Sequence, residues 1–310
     1  MPIFARKKIL LVKIEPTYGV DAVPTGAVNA VLARNVRITP LEQMLEERGV
    51  VTPGYFGGQE QIVAGDYVKI EFEVEVAGSG AAGTAPAYGP LLRACALSET
   101  VTATVKTEYK TVSSGFEAAT TYFYVDGKLC KLLGMRGTVT LRFNSKGIPV
   151  YAFAFTGLYT PVTDGANPTP TLTGFKAPLA VNRANTPTFT LHGYAAKVAA
   201  FEAGLNNEVV YRNLIGEESV QIVDRKPAGQ LKIEDVPVAT KDFIGIARAG
   251  TKGALQLIHG TTAGYKVQID APVVQLLKPT VDEVDGTQML GLDLLLLPSA
   301  GNDEMTITVL

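Results

Sequence analysis

Asp66 to Val76 reads DYVKIEFEVEV, and this stretch decides the fold class. Val68, Ile70, Phe72, Val74 and Val76 alternate with Lys69, Glu71, Glu73 and Glu75. A period of two puts the apolar set on one face of a strand and the charged set on the other, so one face packs and one meets water. Working outward, Thr121 to Met135 (TYFYVDGKLCKLLGM) carries a hairpin signal at Asp126-Gly127, where glycine accepts the positive φ of a tight turn. Gly137 to Gly157 reads as a second hairpin turning near Asn144 to Gly147, with Tyr151, Phe153 and Phe155 on one face. Helix signals are few. Gly89 to Leu97 predicts a short helix with Pro90 in its first turn. Val238 to Gly260 suggests another, weakened by internal glycines.

The chain has 310 residues, 46% hydrophobic and 19% charged, so it holds enough apolar material for a sizeable core. The net charge of −2 argues against a protein that grips phosphates tightly. Cys95 and Cys130 stand far apart in no paired motif, which predicts reduced thiols and neither a disulfide framework nor a zinc site. The apolar patch Ile9 to Val12 is broken by Lys13 and Glu15, so it reads neither as a signal peptide nor as a membrane segment.

Pro161 to Thr190 is rich in Pro, Thr, Asn and Gly and reads as a linker or surface excursion. It separates halves with a similar order of elements. Val68-Lys69-Ile70-Glu71 corresponds to Leu231-Lys232-Ile233-Glu234. The division expected is an N-terminal arm over residues 1–30, a β domain over 31–160, the excursion over 161–189 and a second β domain over 190–310.

The segments Glu15 to Glu42 (EPTYGVDAVPTGAVNAVLARNVRITPLE) and Gly78 to Val101 (GSGAAGTAPAYGPLLRACALSETV) resemble the N-terminal half of tail tube proteins of long-tailed, siphovirus-like bacteriophages. The ending, Ala263 to Leu310, resembles the closing strands of that family. The resemblance implies a mainly β chain with two tandem barrel or sandwich domains, each with a short flanking helix. It implies rings stacked into a tube that conveys the genome to the host. Two tube domains per chain favour a ring of three chains with pseudo-sixfold symmetry; a one-domain reading needs six. The partners implied are further copies of the chain, a tape measure protein and viral DNA inside the lumen, and other tail proteins at the ends. The charged face of Lys69, Glu71, Glu73 and Glu75, with Lys232 and Glu234, is then a candidate for the lumen wall, the other reading being an ordinary solvated face. Pro40 to Gly65, with Leu45, Glu46, Glu47, Arg48, Tyr55 and Phe56, is the candidate loop between rings. Residues 1–29 carry apolar side chains expected to lie against another subunit.

No cofactor or metal site is expected. His192 and His259 have no ligand partner at helical or hairpin spacing, and no G-x-S-x-G, P-loop or dinucleotide fingerprint occurs. Asp282, Glu283 and Asp285 before Gly286 miss the EF-hand spacing and read as a solvated turn. Two other classes remain open at this level. One is a different virion role, such as a tail terminator or head decoration protein. The other is a carbohydrate-active tail enzyme, against which the lack of tryptophan counts.

Overall fold

A computed structural model describes residues 2–50, 54 and 56–310. Chain order begins with β1 (Lys8–Ile14), α1 (Gly26–Asn29), β2 (Ala30–Val31), β3 (Arg34–Glu47) and β4 (Gln61–Glu75). Then come α2 (Gly89–Arg93), β5 (Leu97–Thr102), β6 (Lys106–Thr111), β7 (Ala119–Val125), β8 (Lys128–Asn144) and β9 (Val150–Tyr159). After β9 follow the two-residue β10 (Thr163–Asp164), β11 (Thr188–Leu191), β12 (Tyr194–Ala195), β13 (Val198–Gly204), β14 (Asn207–Leu214) and β15 (Glu217–Arg225). The chain closes with β16 (Ala228–Glu234), α3 (Phe243–Ala249), β17 (Lys252–His259), β18 (Val267–Val284), β19 (Thr287–Leu297) and β20 (Thr306–Val309).

A central sheet crosses the whole molecule in the order β3-β4-β9-β8-β13-β16-β19-β18. Two flanking sheets share its long strands. One is β2-β1-β7-β8, using the first part of β8. The other is β12-β11-β17-β18-β20-β6-β5, using the first part of β18. β8 and β18 therefore pass from a flanking sheet into the central one. Each does so at a bulge, between Leu133 and Arg136 and between Leu277 and Thr280. Bulges bend and twist a strand and so let it change sheets.

The apolar face of β4 packs inward as its alternation requires. Val68, Ile70, Phe72 and Val74 are buried with Phe153 and Phe155 of β9 and Leu10 and Val12 of β1. Leu231, Ile233, Leu290 and Leu292 join the same cluster with Leu255 and Leu257. The architecture is a β sandwich; no closed barrel forms among the described residues.

Four expectations change. Residues 8–14 are not an unpartnered arm: β1 pairs along all of β7, and Leu10, Leu11 and Val12 are buried in their own chain. The suggested helix over 238–260 stops at Gly250, whose φ of 64° closes α3. Its remainder is β17, because Leu255, Leu257 and His259 alternate inward. Pro40 to Gly65 is not mainly a loop, since β3 and β4 pair as far as Glu47 and Gln61. The first short helix ends at Arg93, and Leu97 already opens β5.

Candidate lumen face and assembly edges

The face of the central sheet turned away from the core collects the charged positions singled out in the sequence. Lys69, Glu71, Glu73 and Glu75 stand opposite Thr156, Ala154, Ala152 and Val150 of β9. Thr156, Ala154, Ala152 and Val150 stand in turn opposite Arg136, Thr138, Thr140 and Arg142 of β8. Lys232 and Glu234 lie on the same surface, since Arg142 pairs with Glu202, Glu202 with Gln230 and Gln230 with Asp293. All six residues thus share one surface. Shallow troughs run along it, lined by Arg37, Glu71, Glu73 and Arg142 in one part and by Glu202, Lys232, Lys278 and Asp293 in another.

Most charges on this surface are paired. Arg34 Nε lies 3.1 Å from Glu73 Oε2, and Arg142 bridges Glu73 at 3.6 Å and Glu202 at 3.3 Å. The small side chain of Ala152 on β9, opposite Glu73, leaves room for Glu73 on β4 to reach Arg142 on β8. Lys232 meets Asp282 at 2.8 Å, Lys197 meets Glu234 at 2.7 Å, and Lys278 lies 3.5 Å from Asp293. Burial pulls the Lys69 ammonium down, but Tyr67 and Glu42 beside it outweigh that and hold it above its ordinary value. Such solvent-screened pairs add little stability. Their effect is electrostatic: the surface offers few free cations to a polyanion.

Two edges of the central sheet are open among the described residues. β3 pairs with β4 on one side only. β18 pairs with β17 up to Gln275, and from there its outer edge has no strand against it. Open edges are sites for pairing with another chain.

The candidate inter-ring residues fall on an arm formed by the ends of β3 and β4. Leu45, Glu46 and Glu47 pair with Val63, Ile62 and Gln61. Arg48 meets Glu60 at 3.1 Å on the exposed arm. Phe56 is fully exposed, and Tyr55 lies outside the described residues. Apolar side chains show on both sides of the arm, with Met44, Leu45, Ile62 and Val63 about half exposed.

The sequence reading missed the β14–β15 hairpin, which forms a small sheet of its own against β8 and β9. The signal was the alternation of Val209 and Tyr211 before the turn at Ile215-Gly216. The histidines are structural. His259 Nε2 donates to the Leu179 carbonyl at 3.1 Å, leaving Nδ1 to accept from Thr186 at 2.8 Å. His192 Nε2 donates to the Val274 carbonyl at 2.9 Å. Burial pushes both imidazoles below their ordinary pKa. No cluster of three or more metal-ligating side chains occurs among the described residues, nor any helix long and apolar enough to cross a membrane.

A β sandwich with a charged open face, two unpaired edges among the described residues and a projecting arm offers surfaces through which copies can join. A family model described as phage tail tube protein matches residues 5–295, and the chain belongs to that family. It is a component of the virion tail, and members of the family assemble with copies of themselves and with other tail proteins into the tube. No curated protein matches the chain.

Proposed function

We infer that three copies of this chain close a ring around a lumen, that rings stack into the tail tube, and that the protein turns over no substrate. The tape measure protein and then the viral DNA occupy the lumen, whose wall is the charged face of the central sheet. The observation that carries this reading is the open outer edge of β18 past Gln275.

What supports it is a correspondence between the halves that reaches individual residues. β4 lies between β3 and β9 as β16 lies between β13 and β19. β8 and β18 carry their bulges at matching places, with Gly134 at φ 57° and Lys278 at φ 44° inside them. The two tube domains are then residues 8–160 and 188–310, with β1 and β11 as corresponding outer strands. In the first half the edge of β8 past its bulge is filled by β13 of the same chain, from Thr140–Gly204 to Asn144–Ala200. The corresponding edge of β18 is free, and the strand corresponding to β13 is β3, whose outer edge is also free. β3 of one copy therefore joins β18 of the next, and two sandwich units per chain make three chains the complement of a pseudo-sixfold ring.

Carrying the Thr140–Gly204 pair across the correspondence sets Met44 beside Val284 of the neighbour. Both are exposed in the single chain, at 48% and 39%. The paired charges of the wall suit passage of a polyanion, because counterion-releasing contacts to phosphates are what make DNA stick.

The test is a Met44→Cys, Val284→Cys double variant, oxidised after assembly and run on a denaturing gel. Residues directly opposed on neighbouring strands are close enough for a disulfide. A covalent ladder ending at three chains is expected, with neither single variant cross-linking. A ladder ending at six replaces the stoichiometry, and absence of any ladder from assembled tubes rejects the edge pairing.

A further inference from the structure

The two halves carry different connections at the same place in the fold. Past the Met44–Gly65 pair, β3 and β4 run out into the exposed arm. Past the matching Gly204–Ala228 pair, the second half forms the β14–β15 hairpin.

That hairpin is clamped to its own chain at its base. Asn207, buried, donates from Nδ2 to the carbonyls of Cys95 at 2.8 Å and Gly137 at 2.9 Å. Arg225 forms a nearly buried ion pair with Glu304 at 3.1 Å and also donates to the Val112 carbonyl. Arg136 holds the Val220 carbonyl at 2.9 Å. The outer part of the hairpin touches the root of the arm. The Tyr211 ring stacks on Tyr67 with centroids 4.9 Å apart and planes 28° apart. Asn213 Nδ2 donates to the Ala64 carbonyl at 3.2 Å. A Cβ at Gly65 would come within 3.0 Å of Asn213 Nδ2 and 3.3 Å of the Tyr211 ring, so glycine permits this close approach. Beyond Gly65 the arm shows Leu45, Ile62, Val63 and Phe56 to solvent.

We propose that the β14–β15 hairpin is a brace that fixes the angle at which the arm leaves the sandwich, with Tyr211 and Asn213 as positioning residues for joining one ring to the next. This rests on the reading of the arm as the inter-ring contact. A two-stranded ribbon has little stability or direction of its own, so its aim is set by what holds its root. Around the proposed ring, three arms then alternate with three braces, and only the arms reach the adjacent ring.

The experiment compares the full-length chain with a Tyr211→Ala, Asn213→Ala double variant and with Tyr211→Phe. Ring formation and stacking are followed by electron microscopy and light scattering, thermal melting reports the fold, and limited proteolysis reports cleavage between residues 48 and 60. Losing one aromatic stack and one hydrogen bond should raise the concentration needed for stacking about tenfold. Arm cleavage should speed up while rings and melting stay as in the parent chain. Tyr211→Phe removes the phenol oxygen, which bonds to Glu218 of the same hairpin at 2.7 Å and to the Asp66 backbone at the arm's root, but keeps the ring stack on Tyr67 and the Asn213 bond, so it should stack far closer to the parent chain than the double variant does. Stacking of the double variant at the parental concentration overturns the brace. So does a matching loss of rings and melting temperature, which would mark ordinary packing, or a Tyr211→Phe as defective as the double variant. Failure of the parent chain itself to stack overturns the ring reading instead.

Discussion

β8 and β18 solve one geometric problem with different residues. Both must leave a flanking sheet and enter the central one, and both do so at a bulge with a residue in the left-handed region. In β8 that residue is Gly134, and the bulge is covered. Glu15, 7% exposed, accepts from the Gly134 amide at 2.7 Å and from the Thr120 hydroxyl at 2.8 Å, and the Tyr18 ring lies against the glycine. In β18 the residue is Lys278, and the bulge is bare, with the lysine side chain 81% exposed. The backbone path is common to both strands; the cover is not. A covered bulge constrains its residue through space as well as through φ, whereas a bare one constrains it through φ alone.

The sharpest way to break the comparison is Gly134→Val. A Cβ there falls 2.8 Å from the Tyr18 ring, on a backbone with φ 57°. The left-handed region costs a non-glycine residue roughly 1–2 kcal/mol, and overpacking adds about 1–3 kcal/mol. A loss of about 2–5 kcal/mol is expected in a denaturant melt of the unassembled chain. A loss under about 1 kcal/mol would show that the bulge and its cover do not bear on stability.

The reciprocal change, Lys278→Gly, should act in the opposite direction and less strongly. Relief of the left-handed backbone is partly offset by the extra freedom of glycine in the unfolded chain, so a gain of up to about 1 kcal/mol is expected in the same melt. A clear loss would mean that the Lys278–Asp293 contact matters more than the backbone.

The smallest effect comes from acid. Both histidines lie in the second half, and burial lowers both pKa values. The folded chain therefore prefers them neutral. Their contribution is intact above the ordinary histidine value of about 6.5 and is lost as the pH falls below it. Hydrogen exchange measured at pH 7 and at pH 5 should show protection falling more in β17 and β18 than in β7 and β8. An equal fall in both halves would exclude the imidazoles as the cause.

Much of this fold is legible in the sequence because side-chain alternation encodes a half-buried strand directly. The face bearing Glu71, Glu73 and Glu75 and the hairpin turns at Asp126-Gly127 and Asn144 to Gly147 follow from it. The corresponding position of Lys232 and Glu234 follows from the Leu-Lys-Ile-Glu match. Other features are written in backbone geometry. Gly134 and Lys278 share a conformation and no side-chain chemistry, so no residue pattern pairs them. The arm and the β14–β15 hairpin both read as polar ribbons with scattered apolar residues. What separates them is tertiary: the Asn207, Arg225 and Tyr211 contacts reach residues far away in the chain. β1 was hidden for a similar reason, since its partner β7 lies more than a hundred residues on.

The pairing of β8 with β13 has a kinetic consequence for the proposed tube. Every lateral seam made inside a chain forms at the effective concentration set by the covalent connection between its strands, and only the β3–β18 seam depends on encounter. Tethering raises effective concentration to the millimolar range for short flexible linkers. Half of the seams of such a ring are then independent of subunit supply, and closure needs three meetings instead of six. Dilution should therefore slow ring closure less steeply than it would for a ring assembled from single-unit chains.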